Sequence, residues 1–186
     1  MKYIYYLVFL ALGLALPAQG FEADEPPLPF YDMGACPFEC CSYGKWTATK
    51  ETVLLKDFDD LSSSVAVVKG GEDVQGITGV VITMKPGKVK ITKEGIFNVE
   101  NSSEQIRLLP GDVIYHLRYV GEGNDKFWFK GIFLVDRTSI MHVGKCEAWE
   151  VLDLPEWVWW AKIRRQNGEV GWTREMKNFT HIDACE

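Results

Sequence analysis

The dipeptide Asn167-Gly168 stands between two strand-like runs, WVWWAKIRR before it and VGWT after it. Asn-Gly accepts the positive φ angles of a type I′ turn, the two-residue connection whose twist matches that of paired strands. The segment is therefore expected to be a β-hairpin with Ile163 opposite Trp172, Arg165 opposite Val170 and Arg164 opposite Gly171. In that register Ile163, Val170 and Trp172 enter a core. Alternation along residues 157–165 puts Trp157, Trp159, Ala161 and Ile163 on one face and Val158, Trp160, Lys162 and Arg164 on the other.

The rest of the chain has the same grammar of short apolar runs and turns. Residues 52–55, 65–68, 74–83 and 89–92 are rich in Val, Ile and Thr and too short for stable helices, so they read as strands. Gly70-Gly71 closes one run, and Pro86-Gly87 suits the centre of a type II turn, predicting a hairpin there. Residues 112–120 and 126–135 flank the loop 121–125 and predict another hairpin. Helical periodicity is weak apart from one turn near residues 152–157, and the fold class is all-β.

The first residues set the compartment. Lys2 leads into an apolar run over residues 4–16, followed by Pro17-Ala18-Gln19-Gly20, with small residues where a signal peptidase reads. Residues 1–20 are expected to be a cleaved secretory signal, placing the protein in a periplasm or outside the cell. The run is shorter than the ~20 residues a bilayer requires, so no membrane insertion is expected after cleavage. Residues 21–45 begin FEADEPPLPF, acidic and then proline-rich, and read as an extended arm or linker. A net charge of -6 argues against nucleic acid, whose phosphates require a basic surface.

Cys36, Cys40, Cys41, Cys146 and Cys185 are expected to pair in an oxidising compartment, with one left over. Cys146 with Cys185 closes a long loop, and Cys36 with Cys41 or Cys40 a short one. In the chain-entropy model these contribute roughly 4 and 2 kcal/mol.

The segment Trp160-Ala161-Lys162-Ile163-Arg164-Arg165-Gln166-Asn167-Gly168-Glu169-Val170-Gly171-Trp172 resembles the closing hairpin of bacterial SH3-like domains. Thr52-Val53-Leu54-Leu55, a polar Ser-rich loop, and Val65-Ala66-Val67-Val68-Lys69-Gly70-Gly71-Glu72-Asp73-Val74 are similar to the opening of the same domain. Leu109-Pro110-Gly111-Asp112-Val113-Ile114 reads as a second copy of its Lys-Gly-Glu-x-Val turn. The resemblance implies two small SH3-like barrels in tandem, residues 46–104 and 105–186, with one larger interwoven β-domain as the alternative. It also implies a non-enzymatic binding module of the cell envelope, whose partner is a cell-wall peptide or an envelope protein.

Trp160, Lys162 and Arg164 are the candidate ligand-binding residues, because an aromatic ring and two cations on one strand face suit an anionic peptide or glycan. The alternative is that Trp160 packs on the neighbouring barrel while Lys162 and Arg164 form a solvated edge. The arm residues Pro26-Pro27-Leu28-Pro29 suit an aromatic groove of the protein itself or of a neighbouring molecule, although a disordered linker is favoured. No catalytic residue, metal or cofactor is expected. A Cys-His cell-wall hydrolase using Cys146 or a cysteine of the 36–41 cluster with His116, His142 or His181 is the enzymatic alternative; a purely structural or assembly role is the other. His142 with Cys146 and His181 with Cys185 repeat a His-x-x-x-Cys spacing, but residues four apart on a strand lie ~13 Å apart. That is too far to share a zinc ion bound at ~2 Å. The acceptor patterns at Asn101 and Asn178 are read as chance.

Overall fold

The structure, a computed structural model, describes residues 24–138 and 147–185. The expected signal peptide, His142 and Cys146 lie outside the described residues. The strands in chain order are β1 (Phe30–Met33), β2 (Lys45–Ala48), β3 (Thr52–Leu55), β4 (Ser64–Val68), β5 (Asp73–Lys85), β6 (Gly87–Ile91), β7 (Gly95–Asn98) and β8 (Gln105–Leu108). They continue as β9 (Val113–Gly121), β10 (Asn124–Phe129), β11 (Ile132–Arg137), β12 (Trp149–Asp153), β13 (Glu156–Arg165), β14 (Val170–Thr173) and β15 (Phe179–Thr180). A single 3-10 turn, Met176–Asn178, precedes β15. The all-β class holds, and no helix among the described residues is long and apolar enough to cross a membrane.

A curled sheet has the order β15-β2-β5-β13-β14-β3-β4, with β1 added alongside β5. A second sheet runs β11-β10-β9-β6-β12, and β7-β8 form a separate ribbon. Glu156 of β13 pairs with Lys85 of β5, so residues 86–155 are an insertion between two neighbouring strands of the first sheet. This changes the expected organisation. The tandem boundary at 104/105 falls in the turn of the β7-β8 hairpin, where Asn98 pairs with Gln105, and the closing hairpin β13-β14 joins the first sheet. Pro86-Gly87 is accordingly no hairpin turn. It is the crossing into the insertion, where a Cβ on Gly87 would lie 2.8 Å from the Asp153 carbonyl of the outgoing chain.

The main unit and the inserted unit repeat one connectivity. In the main unit β2 pairs with β5, β3 with β4, β5 with β13, β13 with β14, and β15 returns to β2. In the inserted unit β6 pairs with β9, β7 with β8, β9 with β10, β10 with β11, and β12 returns to β6. The turn read twice in the sequence has the same hydrogen bonds twice. Gly71 donates to the Ala48 carbonyl at 2.7 Å and Gly111 to that of Ile91 at 2.9 Å, both glycines at positive φ; the Lys69 and Leu109 amides are capped by the Glu72 and Asp112 carboxylates. Each unit has its own core. Trp46, Leu54, Val68, Trp159, Ile163 and Phe179 fill the main one, and Ile91, Phe97, Leu108, Ile114, Phe127 and Leu134 the inserted one.

The terminal hairpin forms one residue out of the expected register. Only Gly168 takes a positive φ, 91°, and its N–H donates to the Arg165 carbonyl, giving a type I turn closed by a left-handed glycine. Asn167 stays out of that region, and its side-chain oxygen accepts the Glu169 N–H at 3.1 Å. Ile163 therefore pairs with Gly171, Lys162 with Trp172 and Arg164 with Val170. Because strand faces alternate, Ile163 and Trp172 are buried on opposite sides of the sheet, and Val170 is 36% exposed. Turns with both central residues at positive φ occur instead at Glu122-Gly123 and Lys130-Gly131; the second splits the expected 126–135 strand into β10 and β11.

Arg165 also bridges two parts of the main unit. Its guanidinium grips the Glu72 carboxylate through two bonds, 2.7 and 3.0 Å, which hold that carboxyl below the usual range. A depressed carboxylate stabilises the fold above its unfolded pKa of about 4.3 and loses that contribution as pH falls through its folded value. Glu72→Gln is accordingly expected to lower the urea midpoint at pH 7, with the gap from wild type closing as pH drops towards 3. A gap that stays constant with pH contradicts this role.

Candidate ligand-binding face

The structure pairs Cys36 with Cys41 and Cys40 with Cys185. The second bridge corrects the expected Cys146–Cys185 pair. Its cause is the C-terminal return: Ser42 donates to Ile182 at 3.0 Å and Ala184 to Cys40 at 2.7 Å, bringing Cys185 beside Cys40 as β15 closes on β2. Every cysteine among the described residues is thus bridged, and Cys185 is no longer a free partner for His181, which is exposed. His116 is 1% exposed; its Nε2 lies 2.9 Å from Asp125, off the line of a hydrogen bond, while Thr138 donates to the other Asp125 oxygen at 2.6 Å.

On the outer face of the main unit, Trp160 is 4% exposed and packs with Leu55, Val80, Ile82 and Trp172. The stacking surface expected of Trp160 is taken up by its own neighbours, with the Arg174 guanidinium 5.6 Å from its ring centre. Lys162 lies over Trp172 at 5.5 Å, and Phe58 meets Trp172 edge-on at 5.0 Å. Tyr31 continues the series at 6.1 Å from Phe58. Arg164 is exposed and lines a cavity of about 180 Å³ with Lys45, Asp73, Gln75, Arg165 and Gln166. The face therefore offers cations around a packed aromatic floor, which suits an anionic ligand with apolar groups.

The corresponding face of the inserted unit is covered by residues 24–33. The Glu25 carboxylate lies 3.2 Å from both Lys88 Nζ and the Tyr115 hydroxyl, and these donors hold its pKa below the ordinary glutamate value. Phe30 packs against Phe133 at 5.3 Å, beside the cluster of Tyr115, Leu117 and Trp128. Asp32 pairs with Arg118 and, at 2.9 Å, with Lys126. This corrects the linker expected for this part of the arm: Glu25 and Phe30–Met33 dock on the protein itself, with exposed Pro27, Leu28 and Pro29 between them. The acidic residues at each end and Phe30 were visible in the sequence, but the partners to which they dock lie from 63 positions away, for Lys88, to 94, for Lys126, and further still for Phe133.

Comparison with known proteins gives no match to any protein family, curated protein or solved structure.

Proposed function

We propose that this chain is an exported, non-enzymatic binding module of two SH3-like barrels, the second inserted into the first, that recognises a cell-envelope ligand through the outer face of the main unit. The observation that carries the reading is the inserted unit, whose corresponding face holds an extended chain segment through carboxylate, apolar and aromatic contacts. The repeated connectivity supports the SH3-like resemblance, since strand, hairpin, long strand, hairpin and returning strand occur twice in the same order. Two disulfides agree with an oxidising compartment. A cell-wall peptide or an envelope protein is the proposed partner. The hydrolase reading has no thiolate among the described cysteines on which to build.

The test is retention of solubilised wall fragments and envelope proteins on the immobilised chain. Lys162→Ala and Arg164→Ala change reachable cations, whereas Trp160 is a packing residue and makes a poor probe. Capture lost in both variants with an unchanged Tm supports the assignment. Capture equal to wild type in both removes it.

A further inference from the structure

The strand registers align the occupied face of the inserted unit with the open face of the main unit, residue by residue. In the inserted unit Lys88 pairs with Tyr115, and Tyr115 with Trp128, making one row across β6, β9 and β10. In the main unit Lys45 pairs with Gln75, and Gln75 with Arg164, making the same row across β2, β5 and β13. Both rows are followed by an irregularity at the same point, between Lys126 and Phe127 in one unit and between Lys162 and Ile163 in the other. Lys45 thus stands where Lys88 stands, Arg164 where Trp128 stands, and Lys162 where Lys126 stands.

The arm marks what such a face holds. Glu25 sits on the Lys88-Tyr115 row, and Asp32, seven positions later, sits on Lys126 and Arg118. The main unit keeps lysines at both corresponding points, has Gln75 for Tyr115 and Thr78 for Arg118, and exchanges the aromatic Trp128 for Arg164, which makes no ion pair among the described residues. Lys45 spends one of its three donors on Asp73, at 2.7 Å. Where the inserted unit has a covered surface, with Tyr115 and Trp128 each 8% exposed, the main unit has exposed Gln75 and Arg164 and the adjoining cavity.

From this correspondence, and resting on the binding role proposed above, we infer that the main unit binds an extended acidic peptide. One carboxylate sits on the Lys45-Gln75-Arg164 row, and a second, about seven residues along, on Lys162. Arg164, in the place of Trp128, gives this row an arginine fork that pairs with carboxylate directly, as Arg118 does with Asp32 in the inserted unit.

A fluorescein-labelled peptide with the sequence of residues 24–33 is the probe, with a control in which Asn and Gln replace its Asp and Glu. Titrated into the full-length exported chain, the acidic peptide is expected to raise anisotropy saturably and more weakly as salt increases, and the amide control is not. Lys45→Gln with Arg164→Gln is expected to weaken binding at least tenfold at unchanged Tm, and Lys88→Gln is not expected to change it. Loss of binding in Lys88→Gln alone assigns the peptide to exchange with the arm and overturns the inference. Equal binding of both peptides, or of neither, also overturns it. Envelope capture that still depends on Lys162 and Arg164 would then show that the face binds another ligand class, whereas loss of both results removes the binding reading itself.

Discussion

Replacing Cys40 and Cys185 together by alanine is expected to produce the largest single loss of stability in this chain, up to about 5 kcal/mol in the chain-entropy treatment of a loop this long. The bridge spans 145 positions and ties the end of the described chain to the segment immediately before β2. Its removal leaves β15 held by a two-residue ladder with β2 and by bonds such as Thr49 to the Asn178 carbonyl, 2.7 Å. Phe179, 5% exposed, closes the core against Trp46, so fraying there opens the main unit to water. The Cys36–Cys41 bridge closes a loop of five positions and is expected to contribute only about 2 kcal/mol. Urea unfolding of the two double variants measures both contributions. A loss below about 1 kcal/mol for Cys40 and Cys185 would contradict the loop-entropy account.

What could be read from sequence and what could not divide along a physical line. Local chemistry was legible: the Gly71 and Gly111 turns, the β13-β14 hairpin and the alternation that buries Ile163 all follow from residues within a few positions of one another. The hairpin register was not, because Asn-Gly supports more than one turn and the choice is a matter of one φ angle, that of Asn167. Connectivity at a distance was hidden for a different reason. Nothing local to Lys85 or Glu156 says that they pair, and an inserted unit that is itself complete leaves the same run of strands and turns as one placed in tandem. The long disulfide was misassigned with it, since Cys40 meets Cys185 only once β15 returns to β2, whereas the short Cys36–Cys41 bridge, a matter of five positions, is present as read. For the candidate face, the two cations Lys162 and Arg164 were readable from strand alternation. The burial of Trp160 depends on Leu55 and Phe58, which arrive from another hairpin.

Asp32→Ala is expected to cost about 3 kcal/mol and to release the arm, because it takes the shared carboxylate from two buried cations. The side chains of Arg118 and Lys126 are 10% and 7% exposed, and Asp32 lies between them. Lys126 keeps Glu100 at 2.8 Å, whereas among the described residues Arg118 keeps the Tyr119 carbonyl at 2.7 Å and no second carboxylate, so the orphaned charge falls mainly on Arg118. Removing that charge as well separates the worth of the contact from the penalty of an unpaired cation. Asp32→Ala combined with Arg118→Met is expected to recover at least half of the loss, since a methionine fills the guanidinium's space without needing a partner. Asp32→Ala alone should also expose Phe30 and the bonds around Pro26 to limited proteolysis, because the arm then loses its buried ion cluster and keeps β1 pairing, the Phe30–Phe133 contact and the exposed Glu25 contact. Unfolding in urea and the order of proteolytic cuts measure the two effects. If Asp32→Ala is as stable as wild type and its arm remains protected, the ion cluster does not hold the strap, and apolar packing of Phe30 on Phe133 must do so.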